Sequence, residues 1–301
     1  MSIARTNRPQ QVQVLLWAFL LLVATSCGTR QKADERLQTT DDYGRVVEIP
    51  AHPHRVVSLS PAVTEIVFAL GADSLLVGRT DFCTYPAAAR AIPSIGGISN
   101  LNVERILSLE PDLVISGSMV SRKATDQMDR MGTPMVCVIE KPRFEALYDN
   151  IAVIGRLVGR SREADSLTGQ IRQECARLTD EMDNRGERPK VYYVVGFGAG
   201  GNFTAGGNTF INDIIHLAGG QNIAEEVQGW NYSLEALVKE DPDYIIVRRE
   251  DSAAFVGMHP YNQLRAVKEG HVIGIESGTL DLQVPRNIEA IRTLRQRMFP
   301  D

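Results

Sequence analysis

Short apolar runs alternate along the chain with longer segments in which apolar residues recur every three or four positions. The first pattern is typical of buried parallel strands and the second of amphipathic helices. In the first region the predicted strands are 55–59, 75–78, 111–115 and 134–139, and the predicted helices are 64–70, 103–109, 122–131 and 144–157. In the second region the predicted strands are 190–195, 244–247 and 272–275, and the predicted helices are 210–217, 233–239 and 287–298. This alternation predicts α/β lobes, each with a parallel sheet covered on both faces.

The segment between the two regions has a different pattern. It contains no proline from residue 161 to 184, and its apolar residues are spaced by three or four along that stretch. This pattern predicts a single helix longer than about 30 Å, which could brace two lobes. We therefore expect an N-terminal lobe at 54–159, a linking backbone helix at 160–186 and a C-terminal lobe at 187–301.

The two lobes carry related sequences. Segments 102–115 and 233–246 align without a gap and share a glutamate, a proline, an aspartate and a final isoleucine. In each, an N-cap residue, Asn102 or Ser233, starts a short helix, and Pro-Asp turns that helix into a strand. The sequence thus predicts two related Rossmann-like lobes with mostly parallel sheets. The ligand cleft is expected between the lobes, because α/β proteins bind ligands beyond the carboxyl ends of their strands and at domain interfaces.

The N-terminus has the pattern of an export signal. Arg5 and Arg8 precede an apolar run at 14–23, which is well short of the roughly 20 residues that a membrane span needs. Small residues and then Cys27 follow, an arrangement that resembles a bacterial lipoprotein signal over residues 1–27, with Cys27 as the lipidated residue. An ordinary secretory signal is the alternative. Residues 28–53 are expected to form a polar tether and a small hairpin.

Charge and motif content narrow the function classes. The net charge of −5 argues against a nucleic-acid partner. The sequence has no GxSxG elbow, no HExxH and no CxxC, so neither covalent chemistry nor a metal site is expected. The glycine-rich loop at 196–207 lacks the lysine of a P-loop. Its glycines are expected to allow tight turns or close approach of the backbone to a large ligand.

Aromatic residues lie on polar loops of both predicted lobes. Phe82 and Tyr85 follow a strand of the first lobe, Phe203 lies in the glycine-rich loop, and Trp230 stands just before the second repeat helix. Aromatic side chains that face one cleft suit a large, flat ligand with apolar faces. These four residues are therefore the candidate ligand contacts.

Four segments, at 55–65, 78–86, 102–107 and 110–115, resemble periplasmic solute-binding proteins of ABC importers. The resemblance is to the class with a rigid backbone helix, which takes up vitamin B12, haem and iron-siderophores, and it covers residues 54–298. It implies a monomeric binding protein, held at a membrane in the periplasm by its lipid anchor, that delivers a small molecule to a permease dimer without catalysing a reaction.

The loop Thr-Asp-Phe-Cys-Thr-Tyr-Pro at 80–86 and the Gly-Trp loop at 229–230 are most similar to the cobalamin-binding branch. In that branch the positions of Phe82, Phe203 and Trp230 line the corrin pocket, so the resemblance implies a corrinoid as ligand. Ile98 and Gly117 stand where some cobalamin binders carry tryptophans. A haem or iron-siderophore binder of the same class stays open, as do an extracytoplasmic metal-cofactor enzyme and a scavenging lipoprotein without a transporter.

One glutamate in each lobe is a candidate docking residue. Proteins of the class dock on their transporter through one glutamate per lobe, at positions that match Glu104 and Glu235. Each glutamate is also predicted to be the second residue of its helix, where a carboxylate gains about 0.3–1 kcal/mol from the helix dipole. Equivalent carboxylates on two lobes could instead meet paired arginines of a two-fold partner.

The lipid anchor is testable at Cys27. Because the thiol of Cys27 is the expected acylation site, the wild-type protein should fractionate with membranes, and Cys27→Ser should stay soluble in the periplasm. Membrane fractionation followed by immunoblotting measures this difference. Identical distribution of the two proteins would show that Cys27 carries no anchor.

Overall fold

The protein is described by a computed structural model at residues 35–98, 101–183 and 187–300, and from Leu37 onward it forms one compact unit. The predicted signal segment and Cys27 lie outside the described residues. The first elements are two paired strands, β1 (Arg36–Thr40) and β2 (Val46–Pro50). They form the predicted hairpin, although β1 begins within the stretch expected to be a tether. The hairpin turn is held by buried Asp41, which accepts hydrogen bonds from the amides of Tyr43 and Arg45.

The first lobe is built on one parallel sheet. Its strands are β3 (Val56–Ser58), β4 (Leu76–Arg79), β5 (Leu113–Ser116) and β6 (Met135–Cys137), in the order β4-β3-β5-β6. Its helices are α1 (Pro61–Ala69), α2 (Val103–Ser108), α3 (Arg122–Arg130) and α4 (Ala146–Leu157). Every residue of β3, β5 and β6 is buried, as expected for strands covered on both faces.

The predicted linking helix is α5 (Ser161–Asp183). Its apolar stripe, which includes Ile171, Cys175 and Leu178, packs into a core cluster that also contains residues of both lobes. The helix contacts α4 of the first lobe most extensively. The single long helix therefore joins the hydrophobic interiors of the two lobes.

The second lobe repeats the design with another parallel sheet. Its strands are β7 (Lys190–Tyr193), β8 (Gln221–Asn222), β9 (Tyr244–Arg248) and β10 (Val272–Ile275), in the order β10-β9-β7-β8. Its helices are α6 (Phe210–Leu217), α7 (Leu234–Glu240), α8 (Arg249–Gly257), α9 (Arg265–Lys268) and α10 (Asn287–Met298). Together the two sheets confirm the predicted α/β fold with two parallel-sheet lobes.

The predicted internal repeat appears in matching backbone details. The side chain of Asn102 caps α2 by accepting a hydrogen bond from the Arg105 amide at 2.9 Å, and Ser233 caps α7 in the same way at 3.0 Å. At the other end of these helices, Glu110 (φ 46°) and Asp241 (φ 41°) both take the left-handed conformation, which is uncommon outside glycine. Both residues stand directly before the proline of the repeat.

The aspartate of each repeat then fixes the neighbouring strand. Asp112 accepts a hydrogen bond from the backbone amide of Arg55 at 3.0 Å, next to the start of β3. Asp243 accepts the corresponding bond from the amide of Lys190 at 2.7 Å, at the start of β7. The Pro-Asp pair that the two lobes share therefore has a structural role, since it ties each repeat strand to its neighbour.

The three cysteines in the described part of the chain are free and buried: Cys83, Cys137 and Cys175. Burial of Cys137 and Cys175 agrees with their predicted positions on a strand and on the apolar stripe of the long helix. Burial also raises the pKa of both thiols, because it disfavours the charged thiolate. These two thiols are therefore packing residues rather than nucleophiles.

A buried ion pair joins the two lobes. Glu65 on α1 of the first lobe accepts two hydrogen bonds from the guanidinium of Arg286, which stands just before α10 of the second lobe, at 2.7 and 3.0 Å. The side chains are only 4% and 11% exposed. A second polar contact between the lobes involves a carboxylate of the second lobe. Asp213 on α6 accepts a hydrogen bond from the amide of Phe144 at 2.9 Å and forms an ion pair with Arg143 at 3.3 Å.

Burial makes the Glu65–Arg286 pair costly as well as specific. Burial raises the pKa of Glu65 above its ordinary value, and the hydrogen bonds and positive charge of Arg286 offset this only in part. Such a pair adds little net stability relative to apolar residues of similar size, but removing one partner leaves an uncompensated buried charge. The pair therefore fixes which surfaces of the two lobes meet.

The buried pair predicts a non-additive mutant cycle. Glu65→Met and Arg286→Met should each lower the free energy of unfolding by about 3–5 kcal/mol, whereas the double variant should recover most of that loss. Chemical denaturation monitored by circular dichroism measures the three values. Glu240→Gln is the control, because its ion pair with Lys190 is exposed and its loss should leave stability almost unchanged. Additive losses in the double variant would contradict a coupled interlobe pair.

Candidate functional site

A cavity of about 240 Å³ lies where the carboxyl ends of the first sheet face the second lobe. Its walls include Ser60 after β3, Gly117 and Met119 after β5, and Glu140 after β6. Asp281 contributes from the segment that follows β10. The cavity thus occupies the position at which α/β proteins bind their ligands.

A larger cavity of about 460 Å³ lies elsewhere, between the sides of α1, α5 and α10. It is lined along the helices by residues such as Phe68, Ile171 and Ile288, and Glu65, Arg286 and Tyr85 also contribute to its wall. Its position beside the linking helix lacks the convergent loops of a strand-end site. We therefore take the strand-end cleft as the candidate ligand site, although its enclosed volume is smaller.

The glycine-rich loop and the tryptophan loop of the second lobe are hydrogen-bonded to each other. The amide of Thr204 donates to the carbonyl of Trp230 at 2.8 Å, and the amide of Tyr232 donates to the carbonyl of Asn202 at 3.1 Å. Phe203, between Asn202 and Thr204 in the first loop, forms a β-bridge with Asn231. The structure therefore brings two predicted ligand residues, Phe203 and Trp230, onto adjacent extended segments.

Two glycines permit this close pairing. A Cβ atom at Gly206 would lie 2.3 Å from the carbonyl oxygen of Val227, and one at Gly207 would lie 1.9 Å from that of Glu225. Because real Cβ atoms do not approach backbone oxygens so closely, only glycine fits at either position. These glycines serve the approach of the backbone to the tryptophan loop, rather than to a ligand.

The two predicted ligand residues of the first lobe have different environments. Phe82 is 61% exposed on the loop after β4, directly before buried Cys83, whose thiol contacts the hydroxyl of Thr80 at 3.2 Å. The ring of Tyr85 instead lies over the guanidinium of Arg286, with 4.2 Å from Cζ to the ring centroid. Tyr85 thus links the first-lobe loop to the interlobe ion pair through a cation–π contact.

Sequence reasoning missed several residues of the cleft. Met119, three residues beyond β5, is 72% exposed and lines the cavity. Glu140 and Asp281 supply the two carboxylates of the cavity. For Glu140, its position directly after the predicted strand 134–139 is a signal that could have indicated it, whereas Asp281 lies six residues beyond β10 and had no such signal.

The carboxylate of Asp281 is held by partners within its own lobe. It accepts hydrogen bonds from the Tyr193 hydroxyl at 2.9 Å and from the Arg248 guanidinium at 3.3 Å. Burial alone would raise its pKa, but these hydrogen bonds and the charge of Arg248 lower the pKa of Asp281 below its ordinary value. Asp281 therefore stays ionised, with Arg248 as its counter-ion.

Glu104 and Glu235 stand at the second positions of α2 and α7, as predicted. The C-terminal end of each helix leads directly into a parallel strand, β5 or β9. The N-terminus of each helix therefore lies toward the carboxyl edge of the sheet. Both side chains are exposed, and neither makes a hydrogen bond or an ion pair within 35–98, 101–183 or 187–300. Two equivalent carboxylates are thus available to a partner at this edge of the molecule.

The described residues offer neither a metal cluster nor a membrane span. No three histidine, cysteine, aspartate or glutamate side chains among them are grouped so that they could hold a metal ion. In the same part of the chain, no helix has both the length and the apolar content to cross a bilayer.

The chain is similar to known binding proteins over most of its length. Residues 56–279 match the family described as periplasmic binding protein. An uncharacterized ABC transporter substrate-binding lipoprotein of Bacillus subtilis, YvrC, is 29% identical over 95% of this chain and 97% of its own length. A cobalamin-binding protein of Halobacterium salinarum is 30% identical over 83% of this chain and 70% of its own length.

Solved structures show the same fold. A periplasmic haem-binding protein from Pseudomonas aeruginosa has 27% sequence identity and a TM-score of 0.74, and the match covers 83% of this chain and 94% of that one. The periplasmic vitamin B12-binding protein BtuF of Vibrio cholerae has 20% identity and a TM-score of 0.67, over 82% and 96% of the two chains. At that identity the second likeness concerns the fold alone.

Proposed function

The chain belongs to the periplasmic binding protein family, and we propose that it captures a corrinoid of the vitamin B12 type for an ABC importer. The protein is the periplasmic binding component of such an importer, which acts with a membrane permease and a small-molecule ligand. A relative named as a cobalamin-binding protein, with 30% identity, supports the choice of a corrinoid as that ligand.

The observation that carries the proposal is the group of exposed apolar side chains on the loops of the two lobes. Phe82 and Met119 follow strands of the first sheet, and Trp230 lies on the loop paired with Phe203 in the second lobe. Their exposed fractions are 61%, 72% and 46%. Each buried side chain of this size contributes about 1.5–3 kcal/mol, so a broad apolar ligand that covers them would gain affinity. A corrin macrocycle offers such faces.

Haem is the second candidate ligand, and one tyrosine favours it. Iron porphyrins take a protein axial ligand, and tyrosine is one that proteins use. The hydroxyl of Tyr193 is committed to Asp281, and that of Tyr261 to Asn202. The half-exposed Tyr85 has no hydrogen-bond partner for its hydroxyl among the residues that the structure describes. Tyr85, which lines the cavity beside the linking helix, is therefore an exposed phenol available to an iron porphyrin.

The ligand assignment predicts a mutational pattern. Mature protein mixed with cyanocobalamin and then desalted should retain the corrinoid spectrum, with one equivalent bound and Trp230 fluorescence quenched. Phe82→Ala and Trp230→Ala should each weaken binding by about tenfold or more in calorimetric titrations, because they remove apolar contact area. Met131→Ala, which truncates an equally exposed apolar residue at the far end of α3, is the matched control.

The same experiment decides between the two ligands. Retention of haemin but not of cyanocobalamin, with loss of the haemin spectrum in Tyr85→Phe, would replace the corrinoid by haem. Equal losses of affinity in Met131→Ala and in the two loop variants would show that the loops do not form the site.

We also propose that Cys27 anchors the protein to a membrane and that Glu104 and Glu235 dock it on the permease. A relative named as a lipoprotein supports the anchor. The exposed, equivalent positions of the two glutamates support the docking role. A permease dimer with two-fold symmetry could place one arginine against each carboxylate.

If the two glutamates dock the protein on the permease, reversing their charge should impair transport but not ligand binding. Glu104→Lys and Glu235→Lys should each weaken permease binding by about 1–3 kcal/mol, through lost pairing and added repulsion, and the double variant should abolish uptake. Ligand affinity should stay unchanged in all three proteins. Uptake of labelled cobalamin and calorimetry on the same variants measure the two quantities.

Glu163→Lys is the matched control for docking, because Glu163 is an exposed carboxylate in the first turn of α5. The Glu163→Lys variant should lose about 0.3–1 kcal/mol of helix stability, as the Glu104 and Glu235 variants should, but its uptake should not change. A parallel fall of ligand affinity and uptake in the Glu104 and Glu235 variants would assign these residues to the cleft or the core instead.

A further inference from the structure

We propose that Glu140 sets the ligand preference of the cleft. In this inference, which rests on the proposed corrinoid function, its carboxylate accepts a hydrogen bond from an amide of a neutral ligand and repels ligands that carry carboxylates. The residue lies three positions beyond β6 and is half-buried in the wall of the strand-end cavity. Glu140 would then select by charge, while the aromatic loops recognise the apolar faces.

The carboxylate of Glu140 lacks a counter-ion in the described chain. Its one hydrogen-bond donor there is the hydroxyl of Ser118, at 2.9 Å from Oε2. No lysine, arginine or histidine lies in the described wall of the cavity. Ser60 and Gly117, which are neighbours of Glu140 in that wall, carry no charge. This wall of the cavity therefore presents a negatively charged hydrogen-bond acceptor.

Lys141, the next residue in the chain, and Arg248 of the second lobe are both paired with carboxylates other than Glu140. The ammonium of Lys141, the next residue, lies 3.4 Å from Asp42 of the hairpin. Arg248 of the second lobe is bound to Asp281, the other carboxylate of the cavity. Neither side chain therefore forms an ion pair with Glu140 in the described chain.

Gly117 keeps the carboxylate accessible. A Cβ atom at this position would lie 2.9 Å from Ser60 and 3.8 Å from Oε1 of Glu140, so any larger residue would crowd the cavity between them. The absence of a side chain at Gly117 leaves space next to this hydrogen-bond acceptor. A ligand side chain, rather than a protein ring, can then reach Glu140.

The chemistry of the two candidate ligands differs at this point. A corrin carries neutral amide side chains, whose N–H groups can donate to an ionised carboxylate in a strong, charge-assisted hydrogen bond. A haem carries carboxylates, which Glu140 would repel, and this repulsion is larger in a partly desolvated cavity than in water. Glu140 thus favours a neutral corrinoid over an acidic macrocycle.

The test uses cyanocobalamin and its monocarboxylic acids, in which one peripheral propionamide is hydrolysed and the shape is retained. Wild-type protein should bind at least one acid isomer about tenfold or more weakly than cyanocobalamin. Glu140→Gln should reduce this ratio to near unity, and Glu140→Asp, which keeps the charge, should retain most of it. Glu48→Gln, an exposed carboxylate on β2, should keep the wild-type ratio. Thermal melts of all variants check that each is folded.

The outcomes separate this inference from the function on which it rests. Tight binding of cyanocobalamin with equal affinity for every acid isomer, or an unchanged ratio in folded Glu140→Gln, would overturn the role of Glu140 alone. Failure of wild-type protein to bind cyanocobalamin would overturn the proposed corrinoid function, and this inference with it.

Discussion

The arrangement of the two lobes depends on a buried carboxylate, Glu65, whose ion-pair partner in the described part of the chain is Arg286 from the other lobe. Removal of Arg286 with the lobes still packed would leave the carboxylate of Glu65 without its partner in a poorly solvated position, which is expensive. Asp213 makes the reciprocal contact with the backbone of Phe144. A third interlobe contact is a hydrogen bond from the side-chain amide of buried Gln283 to the carbonyl of Lys141 in the first lobe. These contacts define the walls of the cleft without any contribution from a ligand.

Backbone and ring contacts also order the loops that carry the predicted ligand residues. The loop that carries Phe82 continues to Tyr85, which rests on the Arg286 guanidinium. In the second lobe, Phe203 and Trp230 belong to backbone segments that hydrogen-bond to each other. Apolar side chains can remain exposed on such loops because the backbone below them is already ordered. Ligand binding then requires less loss of conformational entropy than it would on mobile loops.

Most of the architecture could be predicted from local patterns, because buried strands and the long helix have distinct apolar periods. The repeat was also visible, and its left-handed residues Glu110 and Asp241 explain why both helices end within one residue of the same repeat position. Helix α8 was missed because it buries a single residue, Phe255, and so has no apolar stripe. The Glu65–Arg286 pair joins residues 221 positions apart. Such contacts, like the position of Glu140 in the cavity, depend on how the lobes face each other, which no local pattern encodes.

The internal repeat has a consequence for assembly. The N-cap side chains of α2 and α7 accept equivalent hydrogen bonds, and each helix carries its glutamate at the second position. To a partner with a two-fold axis, a surface built in this way offers two docking poses related by half a turn. Both poses would satisfy the glutamates equally, and both would deliver cargo near the axis. The lobes differ in their loops, with a methionine after β5 and an indole beside the glycine-rich loop. If the two glutamates dock the protein as proposed, any preference between the two poses would have to come from these loops rather than from the duplicated helices.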